Sequence, residues 1–223
     1  MIYTEFYDLP EYNKKEIFRY AGYSKAFNSD DMAEELLDEC IKEFDDKNIR
    51  GRVCYIKIPV EIKENNINLS FASVSSKALS KNLYNCHEAV VFAATIGIEI
   101  DRLIQKYLHT DLPKAVFMQA IGAERIEALC NAFCDKLRSR ESENGLHLRP
   151  RFSPGYGDLT IELQKDIIRT LDCFRKIGIS LNESLLMSPS KSVTAIVGIC
   201  EKECQPYTGG CDYCENKDCS FRK

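Results

Sequence analysis

The sequence predicts a mixed α+β fold around one main core. Strongly apolar, strand-like runs occur at VCYIKIPVEI (53–62), EAVVFAATIG (88–97) and SVTAIVGI (192–199). Amphipathic stretches separate them, the longest running from Pro113 to Leu137. There is no internal repeat, low-complexity tract or flexible linker to divide the chain. At 223 residues it is long enough to bury a sizeable core, and one large domain, or a domain with an extended lobe, fits better than two independent folds.

Taken in order, residues 11–22 predict a short helix with Ile17 and Phe18 apolar and Gly22 able to end it. Ser29 or Asp30 is positioned to cap a second helix, in which Met32, Leu36, Leu37, Cys40, Ile41 and Phe44 recur at helical spacing. Gly51 opens the first strand run, INLSFASV (67–74) is a second, and KENNIN (63–68) reads as the turn of a hairpin or of neighbouring antiparallel strands. A polar helix follows over about 75–85. The apolar run at 88–97 is a strand ending at glycine, and IEIDRLIQKYL continues as a helix. Pro113 suits the first turn of the long helix, which RESENG (140–145) breaks. IELQKDIIRTLDCFRKIG (161–178) reads as one helix with Ile167, Ile168, Leu171 and Phe174 inward and Gly178 as C-cap. These elements group as an N-terminal helical and strand lobe integrated with the core (1–85), a core (86–200) and a cysteine-rich tail (201–223).

A net charge of -4 argues against a nucleic-acid surface, because phosphate backbones call for accumulated Lys and Arg. No apolar run reaches the roughly 18–20 residues of a membrane span, and MIYTEFYDLPEYNKK has neither the basic start nor the apolar stretch of a signal peptide. The expected location is therefore cytoplasmic. That location disfavours a disulfide framework for the 11 cysteines. Cys40, Cys54, Cys86, Cys130, Cys134 and Cys173 are scattered through apolar or helical segments and read as small buried thiols. The other five crowd CEKECQPYTGGCDYCENKDCSFRK. Four thiolates there fit either tetrahedral zinc or an iron–sulfur cluster, with free or oxidised thiols as the plain alternative. Cys200 fits the end of the preceding strand, leaving Cys204, Cys211, Cys214 and Cys219 as the preferred ligand set. His87, His109 and His147 form no metal-binding spacing, and no glycine pattern makes a P-loop or dinucleotide fingerprint.

RFSPGYGDLT (151–160) cannot continue a helix, because Pro154 has no amide donor and Gly155 and Gly157 favour turns. Arg151 offers a rigid fork for a carboxylate or phosphate, and Tyr156 joins an aromatic surface to a hydroxyl. Pro154 and Gly155 can angle the backbone so that both side chains meet one ligand; a helix-linking turn with Arg151 in a surface ion pair fits equally well. In LNESLLMSPSKSV (181–193), Glu183 and Ser184 can bind polar ligand groups, Met187 can fill a core gap, and Ser188, Ser190 and Lys191 make a small polar turn.

RFSPGYG, followed by IGISLNESLLMSPSKSV and preceded by AIGAERIEALCNAFCDKL, resembles the activation domain of vitamin B12-dependent methionine synthase, over about residues 80–200. The RYAGY segment and the lobe after it look like small stand-alone members of that family. The resemblance implies a curved antiparallel sheet with packed helices that binds S-adenosylmethionine (SAM). It implies help in reductive methylation of cob(II)alamin on a corrinoid partner, a cobalamin-dependent methionine synthase or related methyltransferase, with an electron from a redox donor. It gives Arg151 the SAM carboxylate, Tyr156 the pocket wall near the sulfonium, the Ser153 backbone the adenine edge, and Glu124 and Glu127 the places of acidic helix residues. This chain departs from the multidomain pattern in lacking cobalamin, folate and flavodoxin-like modules, in having Gly157 where a proline often follows the motif tyrosine, and in its cysteine tail. A noncatalytic corrinoid-protein docking factor and a cysteine-cluster electron-transfer module are the alternative readings. Hydrolytic chemistry is disfavoured, since no Ser or Cys has an oriented base.

Overall fold

Three long strands with apolar residues on both alternations set the architecture, because a strand covered on both faces cannot alternate with polar residues. The computed structural model describes residues 1–23 and 31–201. Its elements run β1 (Tyr3–Tyr7), α1 (Lys14–Tyr20), α2 (Asp31–Asp45), β2 (Gly51–Pro59), β3 (Glu61–Lys63), β4 (Asn66–Asn68), β5 (Ser73–Ser75), α3 (Lys77–Asn82) and β6 (Glu88–Thr95). They continue α4 (Glu99–Leu108), α5 (Leu112–Ser142), β7 (His147–Leu148), α6 (Leu163–Thr170), α7 (Cys173–Ile177), β8 (Ser180–Leu181), β9 (Met187–Ser188) and β10 (Ser192–Cys200).

The main sheet has the order β1-β2-β6-β10-β7, antiparallel throughout, and curls into a half-barrel with helices packed on it. Side chains alternate between two cores. Val53, Tyr55, Val90, Phe92, Ala195 and Val197 face the helical layer of α1, α2, α4 and α5. Cys54, Ile58, Val91, Ala93 and Ile196 face a second core built with α3, α6 and α7. The 31-residue α5 is the spine of the first layer, and α1 docks on it through an edge-to-face contact of Phe18 with Phe117, centroids 5.8 Å apart. A three-stranded sheet β3-β4-β5 and a hairpin β8-β9 complete the body. Strands from both the first 85 residues and the following stretch thus share one sheet.

The expected helices and strands are present, with informative differences. The run at 67–74 is not one strand: Asn68 Oδ1 accepts the Ser70 amide at 3.0 Å, an Asx turn that folds the run into β4 and β5. The helix expected over 161–178 is two helices, broken where Asp172 takes φ +49°. The break rephases the second piece, so Cys173 and Ile177 turn inward and Phe174, expected in the core, is 72% exposed. Met32 is likewise 73% exposed at the start of α2 rather than on its buried stripe. The capping assignment to Ser29 or Asp30 lies outside the described residues. Gly178 caps α7 at φ +77°, and Pro113 sits in the first turn of α5. The six scattered cysteines and Cys200, the last residue of β10, are all buried, and none of them is in a disulfide. Among the described residues no helix is long and apolar enough to cross a membrane.

Candidate functional site

The edge of the main sheet positions the site. After β7 the chain stays alongside β10: the Arg149 amide donates to Gly198 O at 2.8 Å, and Phe152 and Ile196 exchange both backbone hydrogen bonds at 2.8 Å. Strand alternation then decides where the side chains go. Phe152 packs against the second core, and Arg151 turns the opposite way, onto α5.

On α5, Glu127, Asn131 and Cys134 lie four and three residues apart and therefore share a helix face. Arg151 Nη1 donates to Asn131 Oδ1 at 2.7 Å and Nη2 to Glu127 Oε2, on the helix face that also carries Cys134. Burial opposes the Arg151 charge, but the Glu127 carboxylate favours it, and its pKa stays above the ordinary arginine value. Burial pushes the Cys130 and Cys134 thiols up, so both stay protonated beside the cation. Burial, then the Glu127 charge, also raises the Tyr20 hydroxyl, whose ring carries the Arg19 guanidinium 4.4 Å above it.

The loop beyond Arg151 is built by its own hydrogen bonds. The Tyr156 amide donates to Ser153 O at 3.2 Å, the Gly155 amide to Leu159 O at 2.9 Å, and the Leu159 amide to Tyr156 O at 3.0 Å. Gly155 at φ +89° and Gly157 at φ +56° adopt left-handed backbone that glycine favours. A Cβ at Gly157 would stand 3.0 Å from Ala78 Cβ, so the loop rests on α3. Asp158 fastens that contact by accepting from Ser76 Oγ at 2.5 Å, the Lys77 amide at 2.7 Å and the Ala78 amide at 3.1 Å. Pro154 is buried beneath the turn, and Tyr156 at its tip is 68% exposed.

The other sequence-predicted residues distribute unevenly. Glu124 is buried, and its oxygens are committed to Arg125 Nε at 2.5 Å, Arg125 Nη2 at 2.8 Å and the Asn13 amide at 3.3 Å. Arg125, unsuspected from sequence, also donates to Pro10 O and Glu11 O and lies over the Tyr12 ring at 3.9 Å, clamping the segment between β1 and α1 to α5. Glu183 sits in the exposed turn of the β8-β9 hairpin, away from any hydrogen bond with Arg151. Cys204, Cys211, Cys214 and Cys219 lie outside the described residues; among the described residues no group of His, Cys, Asp and Glu is arranged to hold a metal ion. Sequence reasoning also missed Asn131, although its place four residues beyond Glu127 was a usable signal. Nothing local announced Asp158, whose partners are about 80 residues away in sequence.

Chemically, Arg151 and Glu127 present a half-exposed cation and carboxylate side by side, with side-chain exposures of 25% and 43%. A guanidinium has five donors, so the bonds to α5 leave some for a ligand. An anion and a cation in hydrogen-bond contact complement the two charges of an α-amino acid.

No family model and no curated protein sequence matches the chain. A search of solved structures finds the crystal structure of the MetH reactivation domain bound to AdoHcy, with a TM-score of 0.67 and 15% identity over 93% of this chain and 80% of that one. On that likeness, the curled antiparallel half-barrel with its packed helices is the fold of the MetH reactivation domain.

Proposed function

We propose that this protein binds S-adenosylmethionine beside the 151–157 loop and supports reductive reactivation of a corrinoid methyltransferase, with cobalamin carried by that partner. The observation that carries the reading is the Arg151–Glu127 pair, held by α5 at the mouth of a glycine-shaped loop in a fold whose structural neighbour is bound to AdoHcy. Arg151 holds the ligand carboxylate through charge-assisted hydrogen bonds, and Glu127 accepts from its ammonium. Tyr156 covers the sulfonium side of the pocket, while the Ser153–Gly155 backbone shapes the face toward the adenine. Glu124 acts through Arg125, by fixing α5 against the N-terminal segment, and Glu183 takes the more distant polar role on its hairpin.

SAM supplies an activated methyl group, and the reduced corrinoid of the partner accepts it after one electron from a redox donor. The residues here need only bind, align and shield. The tail set Cys204, Cys211, Cys214 and Cys219 belongs to the same proposal as a zinc or iron–sulfur ligand set. Iron, sulfide and zinc analysis of anaerobically purified protein discriminates the two, and unchanged metal content in Cys214→Ser removes that ligand set.

The test is calorimetric titration of SAM and AdoHcy into the protein and into Arg151→Ala. Loss of a bidentate carboxylate contact is expected to weaken both ligands at least tenfold while the far-UV spectrum is unchanged. Equal affinity in a folded variant sinks the assignment. A companion anaerobic assay with a corrinoid protein and a defined electron donor, followed by cobalamin absorption, reads methyl transfer directly.

A further inference from the structure

A concavity lies away from Arg151, where β1 and β6 end and β2 begins, beside α7. It encloses about 430 Å³, within the range of about 300–1,000 Å³ typical of small-molecule sites. Phe6, Ile49, Ile98 and Ile177 give it apolar walls, and Phe6 and Ile98 are themselves left 59% and 39% exposed. Lys47, Arg50 and Arg52 line it as well. Strand register explains the arrangement: Arg52 pairs with Phe6 on one side and Thr95 on the other, and shares a sheet face with Cys54, which leads toward α7.

The charges around this cleft are unbalanced. Glu99, its one acidic lining residue, is engaged by Arg102 at 2.5 Å, and Arg50 is held by Asp8 at 3.0 Å. Lys47 and Arg52 have no carboxylate partner among the described residues. Arg175 and Lys176 add two further cations on α7, immediately before Ile177. In a chain with net charge -4, a cleft with three lining cations against one engaged carboxylate has a local field opposite to the molecule's, and it draws anions rather than cations.

We propose that this cleft binds a small amphipathic anion, an apolar or aromatic body bearing one carboxylate, sulfonate or phosphate. The body lies against Phe6, Ile98 and Ile177, and the acid group meets Arg52 and Lys47. The site is independent of the Arg151 loop, which lies at the other edge of the sheet and turns its guanidinium onto the α5 face.

The probe is 8-anilinonaphthalene-1-sulfonate, titrated by fluorescence into the full chain with the uncharged N-phenyl-1-naphthylamine in parallel. One saturable site per chain is expected, strongly preferring the sulfonate and unaffected by saturating SAM. Arg52→Gln, which keeps a polar stem on an exposed strand position, is expected to weaken the sulfonate about tenfold, and Lys47→Ala with Arg52→Gln further still. Circular dichroism and melting temperature confirm that each variant is folded, and Lys47→Ala alone serves if the double variant is not. Absence of saturable binding, equal binding of the neutral probe, unchanged affinity in the variants or displacement by SAM would each overturn the proposal.

Discussion

At the scale of single residues, the site turns on how Arg151 is held. Its guanidinium is oriented by Asn131 and Glu127 from one helix face, so charge alone does not reproduce it. Arg151→Lys keeps the charge but loses the planar fork, and is expected to bind SAM several-fold more weakly than the parent in calorimetry, though better than Arg151→Ala. Affinity equal to the parent would show that a point charge suffices. The sequence made Arg151 visible because a helix-breaking loop carries its own local signal, whereas Glu127 came only with the family resemblance. It left Glu124 and Glu127 equivalent. What separates them is Arg125, a buried arginine whose partners include two backbone oxygens more than 110 residues away in sequence. Removing one member of a buried pair leaves the other charge uncompensated, at a cost of about 3–5 kcal/mol. Arg125→Ala should therefore lower stability to denaturant by about that much, whereas Glu127→Gln, on a half-exposed carboxylate, should change ligand affinity more than stability.

At the scale of elements, close approaches that no periodicity announces decide how the pieces meet. The strand β10 was legible from SVTAIVGI, yet not the need for Gly198 within it. A Cβ there would lie 2.7 Å from Cys86 Sγ and 2.7 Å from Leu83 Cδ2, so the end of α3 packs directly on the backbone. Gly198→Ala is expected to cost about 1–3 kcal/mol through overpacking, read as a lower denaturation midpoint. The start of α3 depends on Asp158. Its hydrogen bond from Ser76, then those from the Ala78 and Lys77 amides, hold its pKa below the ordinary carboxylate value. A depressed carboxylate stabilises the fold above its unfolded-state pKa and loses that contribution as pH falls through its folded value. The stability gap between the parent and Asp158→Ala should thus be about 1 kcal/mol near pH 6 and shrink as pH is taken below about 4. A gap that is constant with pH would mean that the carboxylate charge contributes nothing. The broken helix at 161–178 shows the same limit on sequence reading: one left-handed residue, Asp172, rephases a continuous apolar pattern and turns Phe174 outward.

At the scale of the whole molecule, strand order is the feature that the sequence does not contain, because antiparallel pairing partners are chosen by the three-dimensional closure of the sheet and not by local composition. That order has a thermodynamic consequence. In β1-β2-β6-β10-β7, the N-terminal strands sit on one side of β6 and the edge that carries Arg151 on the other, and both helical and second-face cores run across β2, β6 and β10. Neither residues 1–85 nor the stretch after them retains both faces of β6 covered without the other, so the described body should unfold in one transition. A ligand at Arg151 then stabilises strands that it never touches, by RT ln(1 + [L]/Kd), about 2.7 kcal/mol at a hundredfold excess over Kd. For a protein of this size that corresponds to a rise in melting temperature of about 5–10 °C. Calorimetric melting with and without AdoHcy should show a single peak moving as a whole, and amide exchange should slow in β1 as well as in β10. In Arg151→Ala, with affinity at least tenfold weaker, the same AdoHcy concentration should move the peak by no more than about half as much. Two peaks, with only the later one responding to AdoHcy, would mean that the N-terminal lobe unfolds on its own and that the shared sheet does not couple it to the ligand.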